Sequence, residues 1–314
     1  MKAIVYQKFG TTEVLQATEQ PTPAIKADQV LVKVKAFSIN PMDWKIRKGE
    51  MTLMSGSKFP KYTGTDFAGI VEETGAAVTG LKKGDEVFGV VKNMMKEGVS
   101  AEYVAVTDSL VWKKPSHISF AQAAAIPVVG TEAVTSLEKM GNINSQTNIL
   151  VNGATGGFGM FLLQLLKQRG ANVTAVTSNK GTAFAKKWGA NTVIDYAKEN
   201  VLSNTASYDI VIDHSGKMGY KTARSIMKAK ALFLNPTPQP IEIPTSLFMN
   251  LFRSKKHIVI LSAPSAKYTD ILLDALRKGL EIEVNKVFPF SQYKEAYQYA
   301  EQGGYIGKVV VELN

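Results

Sequence analysis

The sequence predicts an α/β protein in which a doubly wound parallel sheet is inserted in a β-rich, barrel-like domain. Three observations predict it. Up to about residue 120 the chain reads as short β-branched runs broken by Gly and Pro; after about Ala121 strand-like runs alternate with helical ones; and a strand-like run returns over 307–313. At 314 residues the chain also exceeds the roughly 250 residues beyond which a single core seldom grows.

In the first stretch the strand candidates are 30–36, 68–73, 86–91 and 102–106, punctuated by Pro21, Pro23, Pro41, Gly49, Pro60, Gly64, Gly75, Gly80, Gly84 and Gly98. Short punctuated runs of this kind suit antiparallel pairing. The second stretch offers strands at 149–151, 173–176, 192–194, 209–212, 231–234 and 258–261, with helices at 161–169, 182–188 and 218–227 between them. Alternation of that kind implies a parallel sheet with right-handed crossovers, and six strands fit the doubly wound dinucleotide fold. The tail reads as a helix over 271–277, a strand over 281–284, a helix over 291–301 and the closing strand, which most simply returns to the first domain's sheet. The expected domains are 1–121 with 266–314, and 122–265.

Composition narrows the function. A hydrophobic content of 45% is ordinary for a globular protein. No apolar run approaches the roughly 20 residues of a membrane span, and the N-terminal residues enter strand-like alternation without a signal-peptide core; a soluble, cytoplasmic protein is expected. Cysteine is absent, which removes disulfides, thiolate nucleophiles and cysteine-held zinc together. The three histidines, His117, His214 and His257, lie far apart, so no bound metal is expected. The net charge of +10 comes as scattered lysine doublets without interleaved aromatics. That pattern favours a basic surface that steers phosphate-bearing ligands and disfavours nucleic acid.

The most informative segment is NGATGGFG at 152–159, which follows a strand candidate and opens an apolar helix. Gly156 and Gly157 would let the backbone approach a pyrophosphate, Gly159 would permit close helix–strand packing, and the helix N-terminus offers free N–H groups to an anion. Gly153, Thr155 and Phe158 belong to the same turn. A dinucleotide is implied. The next strand should end beside the adenosine ribose, where a carboxylate would select NAD. Here stand Ser178, Asn179 and Lys180, and no acid lies between Val173 and Lys187. Hydroxyl, amide and ammonium groups can hold a 2′-phosphate that a carboxylate would repel, so NADP(H) is the expected cofactor.

With these features in place the chain resembles the medium-chain dehydrogenase/reductase superfamily, specifically its zinc-free quinone oxidoreductase-like branch and the chloroplast-envelope and enone reductase subgroup. The markers are SINPMDWKIRKG (38–49), GTDFAGIV (64–71), KKGDEVFG (82–89), AAAIP (123–127), ATGGFG (154–159), WGANTVIDY (188–196) and GKVV (307–310). The resemblance implies a Rossmann sheet inserted in a GroES-like domain. Zinc-dependent relatives carry a cysteine and a His-Glu pair where this chain has Asn40 and Thr65-Asp66. Without a Lewis acid an alkoxide would lack support, whereas a quinone or an activated alkene yields a delocalised anion that a few donors can hold.

The same resemblance nominates residues. Asn40 is expected at the nicotinamide, and Lys45, with Asp43 beside it, is grouped as catalytic. Lys45 reads either as an electrophile facing the developing oxyanion or as a surface lysine paired with Asp43. Tyr196 matches a tyrosine near the 2′-phosphate, while Ser215, Gly216 and Asn235 follow strands at ends where such sheets bind ligands. His214 beside them reads more readily as structural than as a proton shuttle, although it joins the cofactor-binding set, and Lys308 reads as structural. Relatives usually have Gly-x-Thr-Ala at 130–133; here either Thr131 takes the threonine's contact or Glu132 replaces it or orders a helix start. Met42, Met51, Met54, Met94 and Met95 suggest either an adaptable apolar pocket or core filling. The resulting expectation is an NADPH-dependent, zinc-independent reductase of quinones or enones, possible as a homodimer. The alternative is an NADPH sensor or RNA-binding protein with little turnover.

Overall fold

The computed structural model describes residues 1–203 and 207–313. The chain forms two compact units: Met1–Val128 with Pro264–Thr269 and Ile282–Asn314, and Val129–Ala263 with Asp270–Glu281.

The first unit begins with β1 (Lys2–Tyr6), β2 (Gln16–Glu19), β3 (Gln29–Ser38), β4 (Lys61–Tyr62), β5 (Asp66–Thr74), β6 (Glu86–Val90), β7 (Tyr103–Thr107) and β8 (Val111–Lys113). It also holds α1 (Pro41–Arg47), α2 (Thr52–Ser55) and α3 (Phe120–Ala124). The chain then enters the second unit through α4 (Pro127–Met140), β9 (Asn148–Asn152), α5 (Gly157–Gln168), β10 (Asn172–Thr177), α6 (Thr182–Lys187), β11 (Thr192–Asp195) and β12 (Tyr208–Asp213). It continues as α7 (Tyr220–Ala223), β13 (Met227–Asn235), α8 (Glu242–Asn250), β14 (Lys256–Val259) and α9 (Ala266–Arg277), and ends with β15 (Val284–Pro289), α10 (Tyr293–Gln302) and β16 (Lys308–Glu312).

In the first unit β3 shows how pattern becomes packing. Val32 and Val34 alternate with Lys33 and Lys35, and of these four only the valines are buried, as is Val30 in register with them. They meet Phe37, Phe67, Val71, Val87, Val309, Val311 and Tyr297 in one core. The strands run β15-β16-β3-β5-β6-β8, with β7 also on β3, and β2-β1-β4 form a smaller sheet. The closing strand does return: β16 pairs antiparallel with β3 and parallel with β15. The strand expected over 281–284 begins only at Val284, because Glu281 is spent elsewhere: its N–H and C=O bond the buried Gln164 amide at 2.8 and 2.9 Å.

The second unit is a six-stranded parallel sheet in the order β11-β10-β9-β12-β13-β14. That order reverses between β9 and β12, the switch point at which doubly wound sheets bind ligands. Helix α5 is buried continuously from Phe158 to Leu166, as a helix inside a core must be when it is apolar all round. The helix expected over 218–227 is a single turn, α7. Ile226 and Met227 lie fully buried: Ile226 sits in the turn that follows α7, its N–H donating to the Ala223 carbonyl at 3.1 Å and its own carbonyl accepting the N–H groups of Ser207 and Tyr208, and Met227 already belongs to β13. No helix among the described residues is long and apolar enough to cross a membrane.

Candidate active site

At the switch point the chain leaves β9 through Gly153, whose φ of +81° is open to glycine at little cost; a Cβ there would lie 3.0 Å from the Ser215 nitrogen. Gly156 caps α5 and Gly157 opens it, so the unpaired N–H groups of that helix end begin at the glycine turn. Gly159 packs against the turn itself, where a Cβ would meet the Ala154 carbonyl oxygen at 2.3 Å. Thr155 is buried and shares a hydroxyl hydrogen bond with Thr177 at the end of β10. The Phe158 ring, expected as a cofactor contact, is fully buried, which leaves only its backbone for a ligand.

One corner of this sheet end is formed by neighbouring strands. Thr177 pairs with Asp195, and the Tyr196 N–H donates to the Thr177 carbonyl at 3.2 Å, so Ser178, Asn179 and Lys180 emerge beside Tyr196. Asn179 and Lys180 are exposed and Tyr196 is 61% exposed. Asp195 is buried and accepts from the Ala197 N–H at 3.1 Å, turning its carboxylate into its own loop.

The other half of the sheet end carries a pair that sequence reasoning missed. His214 follows β12, its ring stacked on Phe158 at 4.3 Å between centroids, and its Nε2 lies 3.2 Å from Glu132 Oε2. Glu132 is the sixth residue of α4 and lies outside the first turn, so it does not order the helix start; it holds the imidazole. Beside it the Thr131 hydroxyl is buried and, among the described residues, has no hydrogen-bond partner. Ser215 and Gly216 are exposed, the Ser215 hydroxyl fixed by Asp213 at 2.6 Å and Asn152 at 2.9 Å. Asn235 is held by Glu242 at 3.2 Å and by the Thr237 N–H at 3.0 Å. Eighty-two residues separate Glu132 from His214, and no periodicity connects them; the sequence signal was only that an acid stands where relatives have threonine.

In the first unit α1 places Asn40, Asp43 and Lys45. Asn40 is 2% exposed and its amide is fully engaged. Its Nδ2 donates to Thr65 Oγ1 at 3.1 Å and Asp66 Oδ2 at 2.8 Å, and its Oδ1 accepts from Lys308 Nζ at 2.5 Å. Asp66 also accepts from Ser38 Oγ at 3.1 Å and the Val128 N–H at 3.0 Å, while Lys308 Nζ stands 4.0 Å from it and donates to the Ile39 carbonyl at 3.0 Å. Asp43, equally buried, accepts the Asn40 N–H at 2.7 Å. Burial pushes the Asp43 carboxyl up to about 7, against the pull of the Asn40 N–H and with a further push from Asp66. Burial raises Asp66 as well, opposed first by the Lys308 ammonium. Lys45 is half-buried, and among the described residues it makes no ion pair; the expected pairing with Asp43 fails because residues two apart on a helix point to different faces. Of the five methionines, Met94 and Met95 reach this region: with Asp43 and Thr65 they line a cavity of about 10 Å³, room for one water and not for a substrate. Met42 and Met51 are half-buried and Met54 is 46% exposed.

Comparison with known proteins agrees with this architecture. Residues 26–116 match the alcohol dehydrogenase GroES-like domain and residues 188–311 the zinc-binding dehydrogenase domain. The chain is 31% identical over 324 residues to a chloroplast envelope quinone oxidoreductase homolog of Arabidopsis thaliana, covering 99% of this chain and 98% of that one. It belongs to the medium-chain dehydrogenase/reductase superfamily. Within that superfamily it is also 33% identical over 321 residues to the NADPH-dependent alkenal/one oxidoreductase of Arabidopsis chloroplasts, covering 99% of this chain and 79% of that one. The solved quinone oxidoreductase of Coxiella burnetii superposes with a TM-score of 0.91 at 29% identity, over 100% of this chain and 99% of the other. As a member of the superfamily's quinone oxidoreductase-like branch, the chain is an oxidoreductase.

Proposed function

We propose that this protein oxidises NADPH without the help of zinc and passes the hydride to a quinone or an α,β-unsaturated carbonyl. The observation that carries the reading is the buried Lys308 ammonium among Asn40, Thr65 and Asp66. These are the positions at which zinc-dependent relatives hold metal ligands. A zinc site needs several unprotonated donors converging on a divalent cation. Here the Asn40 oxygen and the Asp66 carboxylate already accept hydrogen bonds, and a positive charge stands between them; a second cation would meet repulsion and occupied lone pairs. Acceptors that become delocalised anions can be reduced by such a protein with a few well-placed donors.

The second unit fits NADP(H). Gly156 and Gly157 at the start of α5 suit the pyrophosphate, and Ser178, Asn179, Lys180 and Tyr196 suit the 2′-phosphate. Thr131, Ser215, Gly216 and Asn235 remain for the nicotinamide half, although the Thr131 hydroxyl is itself buried. When bound, NADPH supplies the hydride. The chain's own part is to orient the cofactor and to stabilise negative charge on the acceptor, a role we assign to Lys45. Asn40 and Asp43 hold α1 in place for it. Water can return the proton.

A cytoplasmic homodimer completes the proposal. Ile241, Leu247, Phe248, Leu251 and Phe252 are 62% to 75% exposed and lie beside β14, an edge strand, a combination that favours burial against a second copy. The deciding experiment follows NADPH oxidation with a panel of quinones and enones, with and without a chelator. Turnover that the chelator leaves unchanged supports the reading. Nucleotide binding with no turnover on any acceptor would favour a sensor or RNA-binding role, and loss of activity with the chelator would end the zinc-independent one.

A further inference from the structure

We infer that Glu132, held by His214, is the counter-charge for the oxidised nicotinamide, so that this protein binds NADP⁺ more tightly relative to NADPH than it would with a neutral residue at 132. The inference rests on the dinucleotide reading above. In a doubly wound sheet the glycine turn after the first strand takes the pyrophosphate, and the end of the adjacent strand, here β10, takes the adenosine ribose. The nicotinamide half is thereby left the β12 side of the switch point. Glu132 reaches that side: its carboxylate meets the imidazole that follows β12, and that imidazole lies flat on Phe158 in the first turn of α5.

The geometry gives the carboxylate more than a packing role. The Glu132 side chain is 14% exposed and that of His214 is 18% exposed, so the pair is shielded from bulk water yet still open to a ligand. His214 is anchored through both its backbone and its ring. The His214 backbone N–H donates to the Asn152 carbonyl at 3.0 Å, and the imidazole is stacked on a fully buried phenylalanine. A carboxylate held this way costs desolvation that one imidazole partner only partly offsets. A ligand that brings positive charge repays it. The reduced nicotinamide ring is neutral and the oxidised ring is a cation, so a fixed anion discriminates between them by Coulomb attraction while leaving the adenosine half untouched. The same preference favours the cofactor's oxidised form as hydride leaves, which makes Glu132 a specificity-determining residue for the direction of the reaction.

The test is a set of dissociation constants for wild type and the isosteric variant Glu132→Gln, measured calorimetrically for NADP⁺, NADPH and 2′,5′-ADP, which lacks the nicotinamide. The expected result is that Glu132→Gln weakens NADP⁺ about tenfold, changes NADPH less than about twofold and leaves 2′,5′-ADP unchanged. Glu132→Asp, keeping the charge on a shorter arm, should recover part of the difference. If all three ligands weaken together, the residue is merely structural and the inference falls; an unchanged NADP⁺ to NADPH ratio overturns it equally. Wild-type protein that does not bind 2′,5′-ADP would instead overturn the dinucleotide reading itself, and the inference with it.

Discussion

The molecule holds two polar clusters that look alike in composition and differ in what they are for. In the first unit Asn40, Asp43, Thr65, Asp66 and Lys308 are all at most 4% exposed and bond one another. At the sheet end of the second unit Ser178, Asn179, Lys180, Tyr196, Ser215 and Gly216 are polar groups left partly or wholly open. Burial explains the contrast. A charge taken out of water must be matched at once by partners, whereas a charge at a glycine turn can wait for a ligand. The buried cluster therefore reports on stability and the open one on affinity.

Removing a charge from the closed cluster should have the largest effect. Lys308→Met leaves Asp66 without its ammonium, and the cost of such a broken buried pair is about 3 to 5 kcal/mol. Urea unfolding followed by circular dichroism should show it, while any folded fraction retains 2′,5′-ADP binding. The same cluster makes stability depend on pH. The Asp43 carboxyl rises on folding from 3.8 to about 7, so the folded state holds a proton that the unfolded chain has lost. That contribution is fully present below about pH 4 and is lost as pH rises through about 7. Asp43→Asn should remove the decline, making the variant more stable relative to wild type at pH 8 than at pH 5 by roughly 2 kcal/mol in paired denaturation curves.

In the open cluster the effects are on ligands. Lys180→Glu places a carboxylate in the corner proposed for the 2′-phosphate and should weaken NADPH about 30-fold, with NADH nearly unaffected and the salt dependence of NADPH binding reduced. Unchanged NADPH affinity would sink the assignment of that corner. Smallest of the four, Lys45→Ala should lower kcat about tenfold with little change in the NADPH dissociation constant. Full turnover on every acceptor would return Lys45 to the solvated surface.

Most of the fold was legible because each signal was local. Val30, Val32 and Val34 alternate, six apolar runs are separated by helical ones, and glycines crowd a strand–helix junction. The failures are equally physical. Residues 218–227 carry helical composition, yet burial of Ile226 in a turn and of Met227 in β13 outweighs propensity. Residues 281–283 are strand-like in pattern, but Glu281 gives its backbone to Gln164. The site was legible where one strand end supplies several residues in a row, as at 178–180. It was illegible where partners meet across the chain, as Glu132 does with His214 and Asn40 with Lys308, since spacing carries no trace of a contact made only in three dimensions.

The position of β16 bears on how the protein is made. That strand lies between β15 and β3 and delivers Lys308 to Asp66, so the first unit lacks an interior strand and a buried counter-ion until residues 308–312 have been synthesised. The second unit's residues end at Glu281. On the ribosome the order of maturation should therefore run against the usual N-terminal-first rule: the inserted unit can finish while the N-terminal strands still wait for β16.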